Sequence, residues 1–271
     1  MSSQTVVISG GSSGIGLDLA KAYAQQGANL VLLARNQQRL DQAVKDCQQL
    51  SQSPSQKILA YSVDVSDQIK LDECVASIKE QVNVPDILIL SAGIVASEHF
   101  LEQSDQGFDD IYQINVLGSR AVARAFLPDM VARGKGQLCF VGSLGGLIST
   151  YGYSAYSASK FAVVGMAGAL RQELDASGVG VSVLCPPEVD TPMVANEAHN
   201  ILPQTRFIKD VGGTLNVATV TKSALKGIQK NQFMIVPGIM AKFTYWQARC
   251  FPKTSAWVMQ QLVRYASRKA A

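Results

Sequence analysis

Charge is scarce in this 271-residue chain: Asp, Glu, Lys and Arg make up 17% of it, against 47% apolar residues. Soluble domains usually carry about 25% charged residues, so a disordered or unusually solvated protein is excluded, as is a collagen-like one. Cysteine is sparse too. Cys47, Cys74, Cys139, Cys185 and Cys250 are odd in number and show no Cys-x-x-Cys spacing. That argues against a disulfide framework or structural zinc, and no metal site is expected. A reducing, cytoplasmic compartment fits best. No window holds about 18 consecutive apolar residues, so no spanning helix is expected. The start, Met1-Ser2-Ser3-Gln4, has no basic segment before Val6-Val7-Ile8, and no secretory signal is read there. Acid is missing from one region altogether: residues 211–271 hold nine Lys or Arg and no Asp or Glu. The preceding 210 residues carry 15 basic and 21 acidic side chains, so a net charge of +3 hides an acidic body and a basic tail.

What is present is a regular alternation. Short apolar runs at Val6–Ser9, Asn29–Ala34, Ile58–Ser62, Ile87–Ser91, Gln137–Gly142, Gly180–Cys185 and Phe233–Val236 read as strands. Between them lie segments of helical period, such as Ile15, Leu19, Ala20 and Tyr23, or Phe161, Val164, Met166, Leu170 and Leu174. Continuous apolar strands such as Leu30-Val31-Leu32-Leu33 suit a sheet buried on both faces. The expected fold is α/β: a single-domain, Rossmann-type, doubly wound parallel sheet with helices on both faces. It spans residues 1–240 and includes a substrate loop at 188–215, and a basic amphipathic extension follows at 241–271.

The first strand runs into Ser9-Gly10-Gly11-Ser12-Ser13-Gly14-Ile15-Gly16 and then a helix. Glycines at a strand-to-helix turn let a ligand approach the backbone, and the helix N-terminus offers free N–H groups to a pyrophosphate. The spacing is Gly-x-x-x-Gly-x-Gly. The second strand ends in Ala34-Arg35-Asn36, with Arg39 one helical turn on. Arg35 can pair with a 2′-phosphate, where a carboxylate would repel it, so NADPH/NADP+ is the expected cofactor. Asp64-Val65 follows the third strand; Asp64 either accepts from an adenine amine or caps the next helix. Ser91-Ala92-Gly93 closes the fourth strand and lets backbone lie against the adenosine ribose.

Tyr156 and Lys160 are four apart on one helix. A free phenol has a pKa near about 10, too high for ready proton exchange at neutral pH. A nearby ammonium and a charged nicotinamide are expected to lower it. Lys160 can also hold the nicotinamide ribose. Ser143, at the end of the fifth strand, can hydrogen-bond a substrate carbonyl. Asn115 can hold a water that relays protons to Lys160. The same spacing recurs at Tyr265 and Lys269, without a strand-end serine before it. Tyr156 is preferred because Gly10, Asn115 and Ser143 accompany it in order. Tyr151 and Tyr153 read as lining or packing residues.

Gly10, Gly14, Gly16, Asn115, Ser143, Tyr156 and Lys160 together resemble the short-chain dehydrogenase/reductase family, over about residues 4–240. Two departures are Ser91-Ala92-Gly93, where the family often has Asn-Ala-Gly, and Pro186-Pro187, where it often has Pro-Gly. The resemblance implies that Val189 and Thr191 contact the nicotinamide carboxamide. Pro186-Pro187-Glu188-Val189-Asp190-Thr191-Pro192 and Thr205-Arg206-Phe207-Ile208 resemble the family's reducers of long-chain 3-keto bases. They imply NADPH-dependent reduction of a long-chain lipid ketone. The residues leave other readings open: a reductase of another apolar carbonyl (steroid, retinal or 3-oxoacyl), or a non-catalytic, dinucleotide-sensing scaffold on a membrane. Homodimers and homotetramers are common in the family.

The tail holds both tryptophans, Trp246 and Trp257, among seven aromatics from Phe233 to Tyr265. Thr254, Val258, Met259, Leu262 and Tyr265 trace an apolar stripe, with Gln260, Gln261, Arg264 and Arg268 opposite. Such a helix either lies in an anionic membrane interface or docks on protein. A peripheral position on the cytosolic face of a membrane is the expectation. The tail is too apolar, and too poor in Lys/Arg clusters, for a nucleic-acid partner.

Overall fold

The computed structural model describes residues 4–82 and 84–270. Its strands are β1 (Thr5–Ser9), β2 (Asn29–Ala34), β3 (Ile58–Ser62), β4 (Ile87–Leu90), β5 (Gly136–Val141), β6 (Val179–Leu184), β7 (Glu188–Val189), β8 (Thr214–Leu215) and β9 (Met234–Ile235). Its α-helices are α1 (Gly14–Gln25), α2 (Gln37–Gln48), α3 (Gln68–Gln81), α4 (Asp105–Tyr112), α5 (Ser119–Arg133), α6 (Ser154–Glu173), α7 (Pro192–Glu197), α8 (Pro203–Gly212), α9 (Val217–Gln229), α10 (Ile239–Cys250) and α11 (Pro252–Ala270). Seven strands form one sheet in the order β3-β2-β1-β4-β5-β6-β9, every pair parallel. The expected strands therefore stand within a residue or two of where the apolar runs put them. β7 and β8 make a small separate ladder that the apolar pattern did not reveal.

Period-two alternation divides the core between the two faces. Val7, Val31, Leu33, Leu88, Leu90, Leu138 and Phe140 meet α3, α5 and α6 on one side. Val6, Ile8, Leu30, Leu32, Ile87, Ile89 and Cys139 meet α1, α2 and α9 on the other. Local chemistry sets where the helices start. The side chains of Asn36, Asp67, Ser104 and Asn216 accept first-turn amides of α2, α3, α4 and α9. Proline opens α7 and α8, where its missing N–H costs nothing.

From β1 the sheet grows outward in both directions, to β2 and to β4. Ligands of open parallel sheets sit outside such a switch point, at the C-terminal ends of the strands. The glycine turn after β1, the loop after β4 and the Ser143 turn after β5 all open there.

The tail is two helices that meet at Phe251-Pro252. In α11 Val258, Met259, Leu262 and Val263 are half-buried and Ala266 is buried, with Met259 and Val263 facing residues 147–151 across a cavity, and the helix also contacts α8. Of the expected stripe, Val258, Met259 and Leu262 are half-buried, whereas Thr254 and Tyr265 are exposed. The Tyr265 ring lies 5.4 Å from Phe207, and Gln204 donates to Ser267 over 3.4 Å.

Candidate active site

Glycine is required at the first turn. Gly10 and Gly14 have φ of +70° and +54°, a region that disfavours side chains. A methyl group at Gly10 would lie 2.7 Å from the Ala92 nitrogen, so the turns after β1 and β4 touch backbone to backbone. Gly16 packs under Gly10 and the Ser91 hydroxyl, and Ile15 packs into the apolar layer. The Ser13 side chain does not cap α1, and no acid stands in its first turn. That helix start is free to receive an anion.

A cleft of about 570 Å³ opens here, lined by Gly10, Ser12, Ser13, Arg35, Arg39, Asp64, Val65, Ala92 and Gly93 of the expected set. Arg35 Nη1 lies 3.6 Å from Asp64 Oδ2. Burial alone would raise the Asp64 carboxyl, but the Ser66 hydroxyl and amide, helped by Arg35, hold it below its ordinary value. Asp67, not Asp64, caps α3. That removes the capping alternative and leaves Asp64 facing the cleft. Ile94, Ser97, Glu98, Met193, Asn196 and Glu197 also line it, although no motif singled them out.

The residues with chemistry converge at the other side of Gly93. A methyl group on Gly93 would stand 3.1 Å from Asn115 Oδ1 and 3.6 Å from Lys160 Nζ. Asn115 sits in a π-helical turn, Gln113–Gly118, between α4 and α5. Such widened turns recur at functional sites. Its amide clamps the loop after β4: Oδ1 accepts from Ile94 N at 2.8 Å, and Nδ2 donates to Ile94 O at 3.0 Å and to Ser159 Oγ at 3.0 Å. Ser143 precedes a 3-10 turn, Leu144–Gly146, and its hydroxyl accepts from Gly145 N at 3.0 Å. Leu144 N donates to Pro186 O at 2.7 Å, which ties the turn after β5 to the one after β6.

Tyr156 occupies the first turn of α6, with Lys160 one turn on. Lys160 is buried and donates to Val141 O at 2.9 Å, its Nζ 5.8 Å from the Tyr156 ring centre. Burial pushes its ammonium down to about 8. Burial likewise pushes the Tyr156 phenol up to about 12, and the opposing influence is the Ser143 hydroxyl. The sequence suggested that Lys160 lowers the phenol. In this arrangement Ser143 does so instead, because the ammonium turns to the Val141 carbonyl. Across the glycine turn, Thr191 faces Gly14 and its hydroxyl donates to Val189 O at 3.2 Å.

Sequence reasoning missed the neighbour of Tyr156. The ring of Tyr153 lies 5.2 Å from it, and the Tyr153 hydroxyl donates to Glu197. Lys209 bridges Glu197 (2.7 Å) and Glu188 (2.6 Å), and Arg206 grips Glu188 through both guanidinium nitrogens at 2.8 and 3.1 Å. Nothing in the spacing signalled it, since segments such as 64–81 are more densely charged than 188–210. Tyr151 meets His99 edge to face.

Residues 4–201 match the sequence pattern of the short chain dehydrogenase family. The chain is 37% identical over 229 residues to a 3-ketodihydrosphingosine reductase of Mus musculus, covering 84% of this chain and 69% of the relative. It is 34% identical, with the same coverage, to a 3-dehydrosphinganine reductase of Danio rerio. A short-chain dehydrogenase of Sphingobium yanoikuyae, solved in complex with NADPH, is similar in structure. Its TM-score is 0.78 at 25% identity, covering 94% of this chain and 95% of that one. With its parallel sheet, its glycine turn and its Tyr156–Lys160 pair, the chain belongs to the short chain dehydrogenase family.

Proposed function

We propose that the protein reduces a long-chain 3-keto sphingoid base, 3-ketodihydrosphingosine, to its alcohol with NADPH. The relatives that carry this activity in their names support the substrate. What supports the chemistry most is the grouping of Tyr156, Ser143 and Lys160 beside a cleft whose far end carries Arg35 and Arg39. The cleft fits a dinucleotide. A side chain at Gly10 would collide with the neighbouring loop, the start of α1 is free for a pyrophosphate, and the two arginines suit a 2′-phosphate. Ser12, Ser13 and Gly14 would hold the pyrophosphate, Asp64 and Val65 the adenine, Ser91, Ala92 and Gly93 the adenosine ribose, and Val189 and Thr191 the carboxamide. When bound, this cofactor supplies hydride to the ketone carbon.

The protein's own part is polar. Ser143 donates to the substrate oxygen and fixes its position. Tyr156, protonated at neutral pH as any phenol is, delivers its proton to that oxygen as negative charge develops there. Lys160 holds the nicotinamide ribose and keeps positive charge near the phenol. Asn115 fixes the loop against which the cofactor rests and serves the proton relay to Lys160. Residues 188–215 act as the lid over the alkyl chain.

The remaining proposals concern surroundings. Among the described residues no helix is long and apolar enough to cross a membrane. The exposed Ile239, Met240, Phe243, Trp246, Phe251 and Trp257, interleaved with Lys242, Arg249 and Lys253, support peripheral docking of the tail on an anionic bilayer. The apolar groove between α5 and α6, lined by Ala123, Leu127, Val131, Met166 and Leu170, supports pairing of two copies. NADPH oxidation measured on 3-ketodihydrosphingosine, a steroid ketone, retinal and a 3-oxoacyl ester tests the substrate. The sphingoid ketone is expected to be turned over with the highest kcat/KM, and preference for any other substrate would overturn this reading.

A further inference from the structure

The proposed substrate carries an ammonium group on the carbon next to its ketone, and nothing in the catalytic set accounts for it. We infer that Glu197 binds this ammonium and thereby selects 2-amino ketones over plain ones. The inference rests on the reductase reading above.

Charge along the cleft runs from positive to negative. By the order of the strands, Arg35 and Arg39, with Asp64, line it on the β2 and β3 side, and Glu98 lines it beyond β4, with Glu197 also in its wall. Behind Glu197 stands a packed network of Glu188, Glu197, Asp210, Arg206 and Lys209, with three carboxylates and two cations. One negative charge is left over. We place it on Glu197 from the unequal filling of the carboxylates. Each carboxylate has roughly four acceptor positions. Those of Glu188 are filled: Oε1 accepts from Arg206 Nη2 and Thr214 Oγ1, and Oε2 from Arg206 Nη1 and Lys209 Nζ. Among the described residues Glu197 accepts from the Tyr153 hydroxyl and Lys209 alone, which leaves half its capacity unfilled. Asp210 is exposed, so solvent satisfies it. Glu98 is exposed as well, which screens it and weakens its hold on a cation.

Position agrees with charge. Tyr153 links the two groups: its ring lies 5.2 Å from that of Tyr156, whose phenol is proposed to meet the ketone oxygen, and its hydroxyl donates to Glu197. The proposal places the ammonium, one carbon from that ketone, on the Tyr153 side of Tyr156, toward Glu197. Glu197 is 8% exposed, and Tyr153 and Lys209 fix its orientation in advance. A buried carboxylate with excess charge gains from a cationic ligand and penalises a ligand that leaves it unpaired. A steroid, retinal or a 3-oxoacyl chain is such a ligand. Glu197 is thus a binding residue and Tyr153 its positioning residue.

The test compares kcat/KM for a long-chain 2-amino-3-ketone and for the same-length 3-ketone without the amine. It uses wild type, Glu197→Gln and Tyr153→Phe, with NADPH titration and thermal unfolding as checks on folding. Wild type is expected to prefer the amine. Glu197→Gln should reduce that preference by roughly tenfold or more, chiefly through KM, because a ground-state contact is lost. Tyr153→Phe keeps the carboxylate but frees it, so it should reduce the preference several-fold, and it decides the matter if Glu197→Gln does not fold. An undiminished preference in folded variants would overturn the assignment. So would equal use of both ketones by wild type, which leaves the reductase reading standing. Turnover of neither ketone would instead remove the reductase reading itself.

Discussion

Arg35 is the residue proposed to choose between two cofactors that differ by one phosphate. Its guanidinium already lies 3.6 Å from Asp64, so a 2′-phosphate would take over a cation now shared with a carboxylate. Arg35→Asp should weaken NADPH at least about tenfold more than NADH, since it replaces attraction by repulsion at that phosphate alone. Fluorescence titration with both dinucleotides measures this, and equal losses would contradict the role. Arg35, Tyr156, Lys160 and Ser143 were legible in the sequence because each has a fixed distance from a strand end or along a helix. Glu197 was not. Its partners Tyr153 and Lys209 lie 44 and 12 residues away, and only the folded loop brings them together.

At the scale of elements, the proposed lid formed by β7, α7, α8 and β8 is anchored by Val189 and Leu215 in the apolar layer and tied together by ion pairs. Burial alone would raise the Glu188 carboxyl, but Arg206, Lys209 and Thr214 outweigh it and hold it at about 2, against an ordinary 4.5. The folded form of this group therefore binds fewer protons than the unfolded one. Its stabilising contribution is complete above pH 4.5 and is lost as pH falls toward 2. Glu188→Gln should cost on the order of 3 kcal/mol near neutral pH, with the deficit shrinking in acid. Urea unfolding across that range checks it, and a deficit independent of pH would contradict the ion-pair account. The seven strands of the main sheet were legible because strands buried on both faces leave unbroken apolar runs. The π-helical turn at Asn115 was not, because Gln113-Ile114-Asn115-Val116-Leu117-Gly118 has the composition of an ordinary helix. A shift of one residue in the hydrogen-bond pattern leaves no mark on the spacing of side chains.

For the whole molecule, the tail raises the question of which solvent it faces. An amphipathic stripe in sequence does not reveal whether lipid or protein covers it. In α11 protein covers part of it: Ala266 is buried, the Tyr265 ring lies 5.4 Å from Phe207 of α8 and Gln204 donates to Ser267, so removing the tail would disturb α8 as well. The exposed aromatics are the cleaner probe. Replacing Phe243, Trp246 and Trp257 by Ser should reduce flotation with phosphatidylserine-containing vesicles several-fold and leave NADPH affinity as it was. Undiminished flotation would contradict docking through this face.

The measurement closest to the centre of the account is NADPH consumption on 3-ketodihydrosphingosine by Tyr156→Phe beside wild type. The account predicts that turnover falls by about two to four orders of magnitude while NADPH binds as tightly as before, because a proton donor is lost and the cleft is kept. Turnover equal to wild type would contradict it.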